Sequence, residues 1–176
     1  MAASGNSASA DRSIVLRVLR TWVQPARVLR GIARQGVSEA GLIVMLIGAL
    51  AVLLVAQLPM HARAAQLDPA VPFQARLGGA LVAVMFMMPL IAYAVAWLAG
   101  VIMRLAGRPI TGLSSRLALF WALLAVSPAM LLSGLLAGLV GPSLGLTVTN
   151  IICGVAFATF WITGLCVLSA PKQVAP

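Results

Sequence analysis

Residues 117–171, LALFWALLAVSPAMLLSGLLAGLVGPSLGLTVTNIICGVAFATFWITGLCVLSAP, decide the fold class because 55 consecutive positions carry no charge. A helix that crosses about 30 Å of hydrocarbon needs roughly 20 apolar residues, so this run can hold two spans. Glycine, proline and serine cluster at 138–145 and predict a turn between them. The stretch therefore predicts transmembrane helices at about 117–138 and 146–169.

Two shorter uncharged runs precede this stretch. Residues 40–60 and 77–103 are each long enough for one span, which we place at 40–58 and 79–103. Every backbone polar group in lipid must be satisfied within its own segment, so these runs predict helices and not an open sheet. The expected fold is all-α: a polytopic membrane helix bundle of four transmembrane helices over residues 39–170.

The overall composition agrees with a membrane protein. Hydrophobic residues make up 62% of the chain and charged residues 9%, against about 25% charged in an average soluble domain. The charged residues are too few to cover the surface of a water-soluble fold. These values exclude a soluble enzyme, a disordered chain and a free nucleic-acid-binding domain.

The basic residues predict the orientation of the bundle. With four spans, ten of the twelve Lys and Arg residues fall on one side, and only Arg63 and Arg76 fall on the other. The positive-inside rule then places both termini in the cytoplasm, with Arg104, Arg108 and Arg116 as topology-setting residues. The arginine-rich, alanine-rich and leucine-rich usage is typical of a GC-rich bacterium, so we expect a multi-pass protein of the bacterial plasma (inner) membrane.

The two ends of the chain and the connection between the first two spans also carry sequence signals. Residues 1–10 are small and polar and are expected to be disordered, and residues 171–176 form a cytoplasmic tail. Residues 59–77 contain three prolines and predict an ordered outer loop.

The cytoplasmic segment 11–38 precedes the first span and contains a basic amphipathic pattern. On a helical projection of residues 13–35, the apolar side carries Val15, Val18, Leu19, Trp22, Ala26, Leu29 and Ile32. An apolar stripe with an arginine face predicts a helix in the membrane surface that binds anionic headgroups. The expected membrane-surface contacts are Arg17, Arg20, Trp22, Arg27, Arg30 and Arg34. Pro25 divides the segment, with Gln24 ending the first piece; the alternative is that the arginines only set topology.

The four predicted spans contain no candidate catalytic residues. No acid, lysine or histidine lies in any of the four, and such residues are what proton relays and intramembrane proteases normally use. Cys153 and Cys166 are about 20 Å apart on one predicted helix and match no metal-ligand spacing. We therefore expect no catalytic residue, cofactor or metal, no enzymatic activity and no nucleic-acid partner.

Small and polar residues predict how the third and fourth spans pack. Ser127, Gly134 and Gly138 share a face of the third span, near Pro128, and Asn150 and Gly154 share a face of the fourth. Small residues let membrane helices approach closely, and Asn can bond across the interface. We expect spans three and four to pack on each other, with a homo-oligomer face as the alternative. Tryptophans near predicted helix ends, such as Trp121, suggest interfacial anchors.

The order of these features resembles a known family. Gln24-Pro25-Ala26-Arg27-Val28-Leu29-Arg30 leads to Ser38-Glu39-Ala40 and the first span, and Ser115-Arg116-Leu117 opens a central span that contains Ser127-Pro128. This pattern, over about residues 20–170, resembles the short bacterial members of the Yip1 family. The resemblance implies a multi-span helical membrane protein and transfers no catalytic residue. Better-known relatives have five spans, and a fifth span here would put the C-terminus outside. Eukaryotic relatives bind small GTPases in vesicle traffic, a role that does not carry over to a bacterium.

Two classes of function remain open from the sequence. The first is an organising, assembly or interaction factor without catalysis, whose contact surfaces are the basic segment and the Arg104–Arg116 loop. The second is a small transporter or channel subunit, which Pro89, Pro128 and the glycines would support through broken helices.

Overall fold

A computed structural model describes residues 14–169, so the expectations for residues 1–10 and 171–176 lie outside the described part of the chain. Residues 14–169 form helices joined by short turns and contain no strand. The helices are α1 (14–21 in its described part), α2 (Pro25–Arg34), α3 (Glu39–Leu67), α4 (Phe73–Val82), α5 (Met88–Leu105), α6 (Gly112–Leu139) and α7 (Leu144–Leu168). A π-helical turn, Ala83–Met87, joins α4 to α5.

Four helical stretches are long and apolar enough to cross a membrane. They are Glu39–Leu67, Phe73–Leu105, Gly112–Leu139 and Leu144–Leu168. The prediction of an all-α, multi-pass membrane helix bundle with four transmembrane helices is confirmed. The described residues hold no fifth stretch of this kind.

The connection between the first two spans is much shorter than the expected loop 59–77. Helix α3 continues through Pro59 to Leu67, and α4 begins at Phe73. The predicted boundary at residue 58 was wrong because it rested on where the charges start. Charged residues end an apolar run, but they do not end a helix, whose backbone bonds continue equally well in water.

The prolines inside the spans are accommodated without a break. Pro89 lies in the first turn of α5, separated from the π-helical turn by one residue, and its nitrogen carries no proton to donate to the carbonyl one turn earlier. The wider π-helical turn gives its ring room. Pro128 frees the carbonyl oxygen of Leu124, and the Ser127 hydroxyl donates to that oxygen at 2.8 Å. A hydroxyl therefore replaces the missing backbone donor, and α6 runs uninterrupted across the proline.

The helix ends follow local sequence signals. The hydroxyls of Ser38, Thr111 and Ser143 accept hydrogen bonds from the first turns of α3, α6 and α7. Two residues after the last residues of α5 and α6 stand Gly107 and Gly141, which have φ of 72° and 79°. Only glycine adopts this left-handed conformation freely, so these positions fix where the chain turns.

The core lies in the first half of α6. Residues 117–122 are all buried, and α3, α5, α7 and α2 surround them. Trp121 is only 2% exposed, so the expectation that it anchors the protein at the membrane interface was wrong. Its position follows from α6 lying at the centre of the bundle, which its own sequence does not show.

The glycines of the third span pack intramolecularly, but against the first span. A Cβ at Gly134 would overlap the carbonyl oxygen of Ala56, and one at Gly138 would lie 2.7 Å from the carbonyl carbon of Pro59. Spans three and four do pack on each other, as expected, but the expectation that Gly134 and Gly138 form that contact was wrong. An added Cβ at Gly154 would have no atom of residues 14–169 within 4 Å, so Gly154 makes no close helix contact in this part of the chain.

The fourth span contacts the third through a small residue and a polar one: a Cβ on Gly164 would lie 2.9 Å from Cβ of Ala118. The Ser133 hydroxyl donates to Oδ1 of Asn150, which joins α6 to α7 in the half of the bundle away from Glu39. Asn150 therefore bonds across the helix interface, as its position on the sequence predicts.

An ion pair joins α3 and α6 at the end of the bundle where both helices begin. The Arg116 guanidinium donates both Nη groups to the Glu39 carboxylate at 2.8 Å and lies over the Tyr93 ring, 5.6 Å from its centroid. The Glu39 side chain is 54% exposed, so water screens much of the attraction.

Replacing Glu39 with glutamine is therefore expected to lower the free energy of unfolding by less than about 1 kcal/mol. Added salt should shrink the difference between the variants, because exposed pairs are screened. Detergent-mixture unfolding of Glu39→Gln, Arg116→Gln and the double variant measures the coupling. A coupling energy well above that value would mean that water does not screen the ion pair.

Candidate functional site

The N-terminal helical hairpin, residues 14–35, consists of α1, a turn at 22–24 and α2. Gln24 is the residue before α2, and Pro25 lies in its first turn, as the sequence predicts. Proline suits this position because its missing N–H would have no helical partner there.

The hairpin folds back on itself. Arg17 Nη1 donates to Oε1 of Gln35 at 3.0 Å, although a continuous helix would separate the two residues by about 27 Å. The predicted division at Pro25 is thus a reversal of direction.

The apolar stripe of the hairpin faces the protein as well as its surroundings. Val18, Leu29 and Ile32 are buried in the common core, whereas Val15 and Leu19 are more than half exposed. Leu29 reaches the close contact between α6 and α7, where a Cβ on Gly164 would lie 3.3 Å from its Cδ1. Part of the stripe therefore packs against the bundle, and contact of the segment with the membrane surface stays a prediction.

Hydrogen bonds from two tryptophans hold the hairpin against the bundle. Trp22 Nε1 donates to the carbonyl oxygen of Ala125 at 3.0 Å, and its ring meets that of Phe160 edge to face. Trp121 Nε1 donates to the hydroxyl of Thr21 at 3.1 Å, and that hydroxyl donates to the backbone of its own helix. Sequence reasoning missed Thr21, which is fully buried, because a threonine in an amphipathic helix carries no signal of a distant partner.

The tip of the hairpin contacts the bundle further along the helix axis, towards the middle of the bundle, than the charged residues at the same end. Along α6, Ala125 is about 13 Å beyond Arg116. Trp22 therefore contacts α6 well beyond the level of Arg116 along the helix axis.

Most arginines of the hairpin remain on its outer surface. Arg20, Arg27, Arg30 and Arg34 are exposed, and Arg17 is half-buried. Of the two carboxylates in residues 14–169, Glu39 pairs with Arg116 and Asp68 pairs with Arg76. These guanidinium groups therefore have no carboxylate partner in the described part of the chain.

The three predicted topology-setting arginines lie at the same end of the bundle as the hairpin. Arg104 is in the last turn of α5, and Arg116 is in the second turn of α6. Arg108 lies in the connection between them, and its Nη1 approaches Sγ of Cys166 near the end of α7 at 3.7 Å. The opposite end holds Arg63, whose guanidinium donates to the carbonyl oxygen of Leu139 at 3.3 Å. The basic residues are thus segregated by the fold itself.

A groove of about 680 Å³ runs between the two arms of the hairpin. Its lining combines Arg17, Arg20 and Arg27 with apolar side chains that include Leu19 and Val23. Its volume falls within the range of about 300–1,000 Å³ that ligand pockets occupy.

A second cavity, of about 320 Å³, lies between α3, α6 and α7 towards the opposite end. Its polar lining residues are Gln57, Ser133, Asn150 and Cys153. No three His, Cys, Asp or Glu side chains come together anywhere in residues 14–169.

No family model matches the chain, and neither a curated protein nor a solved structure matches it.

Proposed function

We propose that this chain is a non-enzymatic, Yip1-like multi-pass protein of the bacterial plasma membrane, with both termini in the cytoplasm. It acts as an organising, assembly or interaction factor. The N-terminal helical hairpin is its contact surface for anionic headgroups and for other membrane proteins.

One observation carries this proposal: the hairpin is fixed to the bundle while its arginines point outward. Hydrogen bonds from both tryptophans and the burial of Leu29 hold its position. A segment that only set topology would need the charges but not these contacts. A rigid cationic surface suits recognition, because little conformational entropy is lost when a partner binds.

The orientation is tested by reporter fusions after residues 68, 110 and 142. We expect the fusion after 110 to report the cytoplasm and the other two to report the outside, since arginines favour the inner face. An external signal after residue 110 would contradict the proposal.

The contact surface is tested by photocrosslinking from positions 30 and 34 in native membranes. These exposed positions should capture a defined partner, and a crosslinker at exposed Val148 on α7 is the matched control. The triple variant Arg27→Gln, Arg30→Gln and Arg34→Gln should lose the captured partner without losing expression. Capture of the same abundant proteins from all three positions would refute the interaction role.

A transporter or channel subunit is the second candidate, and the cavity beside Gln57 and Asn150 is what favours it. Polar side chains in a membrane-spanning bundle often line a pathway. Saturable flux into proteoliposomes that is lost in Asn150→Leu would support this function over the first.

A further inference from the structure

We propose that the groove of the N-terminal helical hairpin binds one anionic glycerophospholipid. This inference deepens the proposed function, on which it rests, because it names the ligand class of the same surface. It concerns a single site with fixed stoichiometry, which differs from diffuse attraction of the protein to a charged leaflet.

The positive charges of the groove favour the binding of an anion. Arg20 and Arg27 line it from opposite arms, and both are exposed. Arg17 lines it as well and already donates one Nη to Gln35. No carboxylate of residues 14–169 is left to neutralise them, because Glu39 and Asp68 are engaged elsewhere. Guanidinium groups match phosphate oxygens well in geometry and charge.

The apolar side chains of the groove favour contact with an acyl chain. Leu19 is 55% exposed and Val23 is 79% exposed beside the arginines. A soluble phosphate would neutralise the guanidinium groups but would leave these side chains uncovered. A lipid satisfies both parts of the lining at once.

The depth of the groove fits the same ligand. The hairpin extends from the charged end of the bundle to Ala125, which lies about 13 Å beyond Arg116 along α6. A phospholipid extends in the same way, with its phosphate at the polar level and its chains below. The groove presents cationic and apolar groups side by side, which a headgroup and the start of an acyl chain can contact together.

The test is native mass spectrometry of the full chain in detergent, titrated with phosphatidylglycerol. We expect one bound lipid at saturation, with phosphatidylcholine and soluble glycerol phosphate binding at least about tenfold more weakly. Arg20→Gln with Arg27→Gln should weaken phosphatidylglycerol binding by about tenfold or more, since each arginine contributes to the attraction. The matched control is Arg30→Gln with Arg34→Gln, which removes the same charge from exposed positions outside the groove lining.

Several outcomes would overturn the inference. Equal loss of lipid in both double variants would mean diffuse attraction, and equal binding of glycerol phosphate would mean a simple anion site. An oligomer that dissociates in Arg20→Gln with Arg27→Gln would identify a second copy of the chain as the occupant. Lipid binding by Asp11→Asn alone, and not by the wild type, would assign the groove to the chain's own carboxylate. Partner capture from positions 30 and 34 is measured separately, so failure of the lipid site leaves the interaction role standing.

Discussion

Replacing Trp121 with alanine is expected to destabilise the protein by about 3–5 kcal/mol, the range for removing a buried tryptophan from a packed core. The side chain is 2% exposed at the centre of the bundle and holds the hairpin through its bond to Thr21. The substitution leaves a cavity and also removes the donor to that buried hydroxyl. Unfolding in mixed detergent micelles, followed by circular dichroism, measures the loss of stability.

Trp97 provides the matched control because it is 71% exposed on α5. Trp97→Ala removes the same side chain from the outer surface, where surrounding lipid or detergent fills the space, so we expect little change. Limited proteolysis adds a second readout, since Trp121→Ala should expose the hairpin to cleavage. Equal destabilisation by the two substitutions would contradict the central position of Trp121.

Replacing Gly134 with alanine is expected to destabilise the protein by about 2–3 kcal/mol, which is high for one methyl group. The new Cβ would overlap the backbone carbonyl of Ala56, and backbone cannot move aside as a flexible side chain can. Helices α3 and α6 would have to separate along their contact. The same micelle unfolding experiment gives the magnitude.

Gly154→Ala is the matched control because nothing lies within 4 Å of its added Cβ. Alanine favours a helix over glycine by roughly 1 kcal/mol, so this variant should be as stable as the wild type or slightly more stable. Opposite signs at the two positions would confirm the close approach. Equal stability of both variants would mean that α3 and α6 do not touch at Gly134.

The way α6 accommodates Pro128 depends only on neighbouring residues. The Ser127 hydroxyl donates to the carbonyl oxygen of Leu124 that Pro128 leaves without a backbone donor. This interaction is local, so neighbouring residues suffice to predict it. The end of α3 at Leu67 was missed because the charge at Arg63 marks the limit of hydrocarbon and not the limit of the helix.

The hairpin was predicted only in part, for a similar reason. The arginines and the break at Pro25 are visible in the sequence because they are local properties of one helix. The bond from Trp22 to Ala125 joins residues more than a hundred positions apart, and no periodicity indicates it. An apolar stripe looks the same whether lipid or protein covers it, so the pattern could not show that α6 and α7 cover Leu29.

The sequence by itself determined that most of this protein is built as four apolar helices, because long uncharged runs must form backbone bonds within their own segment in lipid. It also determined which loops carry the arginines. Only the tertiary structure decided which small residues meet, as Gly134 does with Ala56, and which tryptophan is buried. The reason is that apolar composition specifies the solvent of a helix, whereas its neighbours depend on the shapes of surfaces far apart in the chain.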